Sequence, residues 1–289
     1  MSEALHWIDT HCHIDAPEFK AILPKIIARA AQEGVQAILF PTVQAADCDQ
    51  TRELAKLYGA RIPGLVYTLG IHPLYIKQAK ESDIGLLRGH IEQSLNDPRF
   101  VGIGEIGLDY FVEGLEPQRQ EYFFHKQLDL AQEFELPVIL HVRRSQDAIL
   151  KALRKRKIPS GIAHAFNGSH QQAEQFIELG FKLGFGGAAT FERALQIRRL
   201  LKELPLSSIV TETDAPDIPP AWLREEDGLF NEPALLPRIA QELAAIRGIT
   251  NDEFSAAVWQ NAMQALPRWS QLMRNQFGDS NFPNFQIVS

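Results

Sequence analysis

Cysteine is scarce in this chain, because Cys12 and Cys48 are the only two among 289 residues. Two thiols cannot build the disulfide framework on which small secreted domains depend. This scarcity is typical of proteins from a reducing compartment. If the segment around Cys12 is extended, the thiol faces away from His11 and His13, so we expect it to be packed rather than to bind metal.

Long apolar runs are also missing from the sequence. No stretch approaches the roughly 20 apolar residues that a membrane-spanning helix requires. The first residues, MSEALHWIDTHCHID, lack the basic region followed by an apolar run that is typical of a secretory signal. We therefore expect a cytoplasmic protein with no membrane contact, and we predict no stable protein partner.

Positive charge is in deficit. The chain has 29 basic and 36 acidic residues and a formal net charge of −7. A protein with this balance has no overall electrostatic attraction to nucleic acid or to an acidic membrane. The densest basic run, KALRKRK at 151–157, is typical of a solvated helix end. Any phosphate chemistry must therefore use local cations or a metal.

Apolar, β-branched runs recur eight times along the chain, and each is followed by a segment of helical character. This alternation predicts a parallel sheet, and eight repeats predict an α/β fold closed into a (β/α)8 TIM barrel. We expect one domain over 1–289 with a loosely ordered tail from about residue 275. A doubly wound open sheet would carry a glycine-rich turn after its first strand, where this chain has HCHIDAPEF. The predicted strands cover 5–11, 35–43, 64–72, 100–108, 137–142, 161–166, 181–187 and 207–216.

The stretch DTHCHID, residues 9–15, places two histidines one residue apart. Side chains alternate between the faces of a strand, so Asp9, His11 and His13 would project to one side if the stretch is extended. Such a pattern aims two imidazoles at one metal ion. An ordinary polar strand edge explains this motif alone equally well.

Histidines and carboxylates recur at the C-terminal ends of six predicted strands, which in a barrel form the catalytic face. Such groups, buried close together, would carry a large desolvation penalty without a cation. They outnumber the four ligands of a tetrahedral ion, so we expect two divalent metal ions with Glu105 as the bridge. The residues concerned are His11, His13, His72, Glu105, His141, His164 and Asp214.

Seven motifs, in this order along the chain, resemble those of the TatD family of metal-dependent deoxyribonucleases, a branch of the amidohydrolase-type barrels. The resemblance runs from residue 5 to about residue 265, and it implies a metal-dependent hydrolase on a barrel fold. The motifs are DTHCHID (9–15), GIHP (70–73), GEIGLDY (104–110), PVILHVR (137–143), AHAFNGS (163–169), ETDAP (212–216) and NEP (231–233).

The resemblance also implies a ligand set. One metal would be held by His11, His13, Glu105 and Asp214, and the second by Glu105, His141 and His164. His72 would lie beside the metals and contact the substrate phosphate or the leaving group, or it could be a structural histidine fixed by Pro73. The ligand types leave magnesium, manganese and zinc open.

Further roles follow for polar residues around these ligands. Asp214 is expected to be both a ligand and the group that accepts a proton from the attacking water and returns it to the leaving oxygen. Glu212, on the same strand face, could support a ligand, bind a third ion or be a buried structural acid; Asp9 is expected to support rather than bind the metal. Arg143 could clamp a phosphate or form a surface ion pair.

The resemblance suggests cleavage of phosphodiester bonds from the 3′ end of single-stranded DNA, with DNA or a small phosphodiester as partner. Phe166, Tyr110 and Phe230 could stack on terminal bases or belong to the core. Hydrolysis of an amide or ester on the same barrel is the first alternative. Many such relatives use a carboxylated lysine as the bridge, and no lysine ends a predicted strand here. A non-catalytic metal-binding protein is the second alternative, against which the intact ligand set argues.

Overall fold

The strands form one parallel sheet in chain order, in a computed structural model that describes residues 6–224 and 230–278. Each strand pairs with the next in parallel from β1 to β8, so the predicted eight-stranded barrel is confirmed. The strands are β1 Trp7–Asp9, β2 Val35–Pro41, β3 Gly64–Leu69, β4 Phe100–Asp109, β5 Val138–Arg143, β6 Gly161–Ala163, β7 Phe181–Phe185 and β8 Ile209–Thr211.

A short seam of hydrogen bonds brings the last strand against the first. The amide of Thr10 donates to the carbonyl of Thr211 at 2.9 Å, and the Thr211 hydroxyl donates to the carbonyl of Ile8 at 2.9 Å. Above the strands, the Asp214 amide donates to the carbonyl of His11 at 2.8 Å. The barrel is therefore nearly closed, and the chain segments before residue 12 and after residue 210 become neighbours.

Helices α1 to α7 each follow the strand of the same number, and three more helices follow β8, as expected from about residue 232 onward. Helix α9 lies against the other end of the barrel, where Trp259 Nε1 donates to the His6 carbonyl and Asn261 Nδ2 to that of Ile209, both at 2.7 Å. The helices are α1 Leu23–Gln32, α2 Cys48–Tyr58, α3 Asp83–Ser94, α4 Pro117–Glu133, α5 Gln146–Leu153, α6 His170–Glu178, α7 Leu195–Glu203, α8 Leu236–Arg247, α9 Asn251–Ala265 and α10 Pro267–Phe277.

The strands are buried on both faces, which explains why they appear in the sequence as nearly continuous apolar runs. Every residue of β3 and β4 is buried, and helices such as α1 cover the outside with Ile26, Ile27 and Ala30. Full burial of each large aliphatic side chain stabilises the fold by about 1.5–3 kcal/mol. The barrel is therefore a rigid support for the loops at its C-terminal face.

Several strands end earlier than the sequence predicted. Strand β1 ends at Asp9, and the chain then turns, with the Ile14 amide donating to the Cys12 carbonyl and the Ala16 amide to that of His13. The strand predicted over 5–11 is therefore shorter in the structure, and a turn follows at residues 14 and 15. Hydrogen bonds across the seam fix the loop that carries His11 and His13, whose Nε2 atoms lie 3.2 Å apart. Cys12 is fully buried, as expected of a packed thiol.

The C-terminal tail was expected to be loosely ordered from about residue 275, but α10 extends to Phe277. The rest of the tail, 279–289, lies outside the described residues. The basic run at 151–157 lies at a helix end as expected, because α5 stops at Leu153. Among the described residues, no helix is both long enough and apolar enough to cross a bilayer.

Candidate metal centre

Glu105 lies at the centre of the C-terminal face. It belongs to an irregular part of β4, where the pairing with β5 shifts between Ile103 and Ile106, and its amide donates to the Thr42 carbonyl at 3.1 Å. The side chain is 1% exposed. Its oxygen Oε2 lies 3.0 Å from His11 Nε2 and 3.5 Å from His13 Nε2. One oxygen of the Glu105 carboxylate therefore faces the two histidines of the loop after β1.

The other oxygen of Glu105 faces a different group of imidazoles. Oε1 lies 2.8 Å from His164 Nε2, 3.1 Å from His141 Nδ1 and 3.2 Å from His72 Nε2. The two oxygens thus point toward two separate sets of nitrogen atoms. This arrangement suits a carboxylate that bridges two metal ions.

Asp214 completes the first set. Its Oδ1 lies 3.5 Å from His11 Nε2 and 3.6 Å from His13 Nε2. The backbone of Asp214 is left-handed, with φ of 52°, a conformation that costs a residue other than glycine roughly 1–2 kcal/mol. The bond from its amide to the His11 carbonyl holds it there. The loop is therefore shaped to aim this carboxylate at the histidines after β1.

The donor atoms at this face suit a divalent cation. His11 Nε2 and His13 Nε2 are 3.2 Å apart and approach the same carboxylate oxygen. Glu105 Oε2 is buried without a hydrogen-bond partner, which is costly for a carboxylate oxygen. A cation among imidazoles and carboxylates offsets this cost. Three groups could hold an ion: His11, His13 and Glu105; His11, His164 and Asp214; His72, Glu105 and His141.

Asp109 orients one of these imidazoles. Its Oδ2 lies 3.0 Å from His141 Nε2, so a neutral imidazole that donates there presents the lone pair of Nδ1 to Glu105. Burial alone would raise the pKa of Asp109, but the hydrogen bonds from His141, Val112 and Phe111 lower it to about 2. Asp109 is therefore a charged acceptor that fixes the ring of His141.

We expect Asp109→Asn to weaken metal binding roughly 10- to 100-fold, because the amide is a weaker acceptor and can also offer a donor to His141. Competitive titration against a chromogenic chelator measures the affinity. Asp129→Asn is the matched control, since Asp129 pairs with Arg156 on the surface of α4. Equal affinities for the Asp109 variant and the control would contradict this role.

His72 differs from the other imidazoles in its hydrogen bonding. The Leu74 amide donates to His72 Nδ1 at 3.1 Å, so the proton of a neutral ring resides on Nε2, the atom that faces Glu105 and His141. Burial lowers the pKa of His72 to about 4, although Glu105 acts in the opposite sense. His72 therefore presents an N–H donor to the centre, which fits a contact to an anionic substrate better than a bond to a metal.

Glu212 lies behind His164 rather than beside Glu105. Its Oε1 accepts a hydrogen bond from the Ala165 amide and lies 3.9 Å from His164 Nδ1. Burial raises the pKa of Glu212 to about 8, although His164 acts to lower it. A Cβ at Gly184 would lie 2.1 Å from Glu212 Oε2, so only glycine leaves room for this carboxyl group. The 3.9 Å separation is too long for a hydrogen bond, so Glu212 fixes the Ala165 backbone next to His164 rather than the imidazole itself.

Asp9 links the first strand to the loop after the last one. Its Oδ1 accepts from the amides of His11 at 3.3 Å and Thr213 at 3.0 Å, and its Oδ2 accepts from the Thr213 hydroxyl at 2.6 Å. The side chain is fully buried. Asp9 thus supports the backbone that carries His11 and Asp214, which agrees with its expected supporting role.

Sequence reasoning assigned no role to Asp109 or Asn231. Asp109 lies within the GEIGLDY motif, four residues after Glu105, and that spacing was a usable signal for a second carboxylate on the same strand. Asn231 belongs to the NEP motif, and its Nδ2 donates to the Thr213 carbonyl at 2.8 Å and also to that of Asp217. Asn231 therefore fixes the loop that carries Asp214.

The residues considered for substrate contact are spread between core and rim. Arg143 is exposed, and its guanidinium carbon lies 4.2 Å from the ring centroid of Phe111. Phe166 is only 1% exposed and packs on Phe176, so it belongs to the core. Tyr110 is half-buried and donates to Glu121 at 2.9 Å, whereas Phe230 is 52% exposed.

Comparisons with known proteins agree with this geometry. The family model described as TatD related DNase matches residues 8–267. An uncharacterized metal-dependent hydrolase, YjjV of Escherichia coli, is 38% identical over 258 residues, which cover 88% of this chain and 95% of that relative.

Two further comparisons extend the match. The crystal structure of the same YjjV protein superposes with a TM-score of 0.85 at 35% identity, covering 92% of this chain and 99% of that one. A protein of Erwinia billingiae named 3'-5' ssDNA/RNA exonuclease TatD is 31% identical over 245 residues, covering 83% of this chain and 91% of that relative. Because the family model spans nearly the whole barrel and the Escherichia coli relative is 38% identical, this chain belongs to the TatD family and is a metal-dependent hydrolase.

Proposed function

We propose that this protein removes nucleotides from the 3′ end of single-stranded DNA by hydrolysing phosphodiester bonds with two divalent metal ions. The observation that carries the proposal is Glu105, whose two oxygens face two different sets of imidazoles. Two ions held about 3.5–4 Å apart are the usual arrangement for displacement at a phosphate. The name of the Erwinia relative supports the same chemistry and adds RNA as a second substrate to test.

The residues at the face divide into two ligand sets in this proposal. Divalent ions bound there would acidify a water molecule and offset the negative charge of a phosphate. Imidazole ligands suit zinc, whereas the carboxylates suit magnesium or manganese. The first set is His11, His13, Glu105 and Asp214, and the second is Glu105, His141 and His164.

Asp214 is the proton carrier of the proposal. Its Oδ1 lies beside the first imidazole set, and the residue is 8% exposed, so a substrate can reach it from the mouth of the barrel. Its carboxylate accepts the proton of the attacking water as the new bond to phosphorus forms. The same proton then passes to the oxygen whose bond to phosphorus breaks, which balances the reaction.

Two further side chains contact the substrate in this scheme. His72 donates the Nε2–H to a phosphate oxygen, since the Leu74 amide occupies its other nitrogen. Arg143, at the end of β5 and two residues beyond His141, offers a guanidinium at the rim that matches phosphate oxygens. Glu212 acts indirectly, because the hydrogen bond that it accepts from the Ala165 amide holds the segment next to His164 in place.

Hydrolysis of an amide is less well supported than phosphodiester cleavage. Relatives that cleave amides often carry a carboxylated lysine at the bridging position, and here that position is occupied by Glu105. Among the described strands, only β7 contains a lysine. This residue, Lys182, lies near the start of the strand, and its Nζ donates to the Ser207 carbonyl. A phosphate substrate therefore fits the bridge better.

The setting of this activity is also a proposal. Cys12 and Cys48 are free and buried, which suits a reducing compartment, so we propose a cytoplasmic enzyme. We propose that the chain works as one domain without a stable protein partner.

The function is tested by removing metal with a chelator and restoring magnesium, manganese or zinc separately. Short single-stranded DNA and RNA, labelled at either end, are supplied beside a small phosphodiester and an amide. We expect restored metal to release the 3′ label first and the chelated protein to be inactive. Metal at 100 times its Kd should also stabilise the fold by about 2.7 kcal/mol for each bound ion, or roughly 5 °C in melting temperature per ion.

Two results would contradict the proposal. Early release of the 5′ label would reverse the direction of cleavage. Cleavage of the amide while both nucleic acids survive with every metal would keep the barrel and its ligands but replace the substrate class.

A further inference from the structure

Two arginine side chains meet at one exposed ring on the rim of the barrel. The guanidinium carbons of Arg143 and Arg144 lie 4.2 and 4.5 Å from the ring centroid of Phe111. Phe111 is 46% exposed, although a ring of this size is usually buried. These three residues are called the rim subsite below: Phe111 follows β4, Arg143 is the last residue of β5, and Arg144 comes directly after it.

Among the described residues, neither arginine of the rim subsite forms an ion pair. Throughout residues 6–224 and 230–278, no carboxylate oxygen lies within 4.0 Å of either guanidinium. Other surface arginines of this chain do have such partners: Arg88 pairs with Glu133 and Arg199 with Glu203. Both guanidinium carbons lie within 4.5 Å of the same ring centroid, so one anion at this part of the rim would be attracted by two cations.

Asp109 joins the rim subsite to the metal centre. Its Oδ1 accepts from the amides of Phe111 at 2.8 Å and Val112 at 2.9 Å, while its Oδ2 faces His141 Nε2 at 3.0 Å. The same carboxylate therefore fixes a metal-site imidazole and the loop that carries the ring. The buried Asp109 side chain therefore fixes the position of the rim subsite relative to the metal centre, so one substrate could contact both at once.

The backbone also holds Arg144 in an unfavourable conformation. Its φ is 54°, in the left-handed region that residues other than glycine rarely adopt. Bonds on both sides keep the segment in place: the Tyr110 amide donates to the Arg143 carbonyl at 2.9 Å, and the Ser145 hydroxyl donates to the Leu108 carbonyl at 2.6 Å. Such strain at a site's edge indicates that the direction of the side chain matters.

We propose that the rim subsite binds the phosphate next to the scissile bond, so that the enzyme selects a chain of nucleotides over an isolated phosphodiester. This proposal rests on the proposed function and assigns it a second contact point. One guanidinium group can donate to two oxygens of the same phosphate, and a base can stack on its planar face. Because the chain has a net charge of −7, attraction to a polyanion would depend on such local cations together with bound metal.

The test is equilibrium binding of a fluorescent DNA hexamer, measured by anisotropy with the Asp214→Asn protein so that turnover does not interfere. Adding Arg144→Gln should weaken binding about tenfold and reduce the slope of log Kd against log salt by about 0.7, the value for one phosphate contact on a single strand. Phe111→Leu, which keeps both charges but removes the ring that orders them, should weaken binding by a smaller factor.

Neutral methylphosphonate linkages, placed one at a time in the hexamer, locate the contact. The effect of Arg144→Gln should disappear when the linkage next to the terminal one is neutral and persist for the others. Arg199→Gln, which changes the net charge equally on α7, is the matched control and should leave binding unchanged.

Two results would overturn the rim subsite: an equal effect of Arg144→Gln with every methylphosphonate hexamer, or an effect no larger than that of Arg199→Gln. Failure of the proposed function has a different signature. A hexamer that binds through Arg144 but is not cleaved by the unmutated, metal-loaded protein would reject the hydrolysis and retain the subsite.

Discussion

Asp214→Asn is expected to lower turnover of single-stranded DNA by roughly 10³-fold or more, in the range that loss of a general base and acid produces. The amide retains an oxygen that can approach His11 and His13, but it cannot accept and return a proton. The fold should be unaffected, because the bond from the Asp214 amide to the His11 carbonyl belongs to the backbone. Single-turnover kinetics with saturating metal, together with the melting temperature, measure both expectations.

Asp217→Asn is the control for this variant, because Asp217 is exposed in the same loop and makes the same change of charge. A rate for Asp214→Asn that is close to the control's would remove Asp214 from the chemistry. Elemental analysis of Asp214→Asn measures its bound metal. Loss of that metal would instead show that Asp214 acts only as a metal ligand.

Glu105→Gln should have an equally large effect for a different reason. The Gln side chain has one oxygen where Glu105 has two, and its NH2 group would be directed at one of the two imidazole sets. We expect bound metal to fall from two ions per chain to at most one, activity to fall by about 10³-fold or more, and the stabilisation by metal to shrink. Elemental analysis and melting curves with and without chelator test this.

The matched control is Glu133→Gln, which removes a carboxylate that pairs with Arg88 on the surface of α4. Two tightly held ions per chain in Glu105→Gln would show that this residue does not bridge. Destabilisation of that variant even in the presence of chelator would point instead to a purely structural carboxylate.

The barrel could be predicted from the sequence because parallel strands are buried on both faces and therefore appear as apolar runs. The position of His11, Glu105 and Asp214 after such runs was sufficient to place them on one face. The ends of the strands could not be predicted, because they depend on contacts between distant segments. The His13 amide, for example, donates to the carbonyl of Ala215 at 2.8 Å, and no local pattern indicates that bond.

The supporting residues were harder to infer than the ligands. Asp109 was visible as a carboxylate in a motif, but its contact with His141 depends on the register between β4 and β5. The space that Gly184 leaves for Glu212 depends on β7 lying beside β8. Likewise, the contact between the Arg144 guanidinium and Phe111 could not be predicted, because the two residues follow different strands. Pairings across the sheet carry this information, and local sequence does not.

The seam between β1 and β8 makes the metal centre dependent on the order of synthesis. His11 and His13 leave the ribosome early, whereas Asp214, which meets them through the His11 carbonyl, follows about 200 residues later. A nascent chain that ends before β8 lacks this partner, so the first metal set is incomplete until the barrel closes. A metal ion bound across this seam would join the first and last strands of the barrel, and it would therefore favour the closed barrel over an open one.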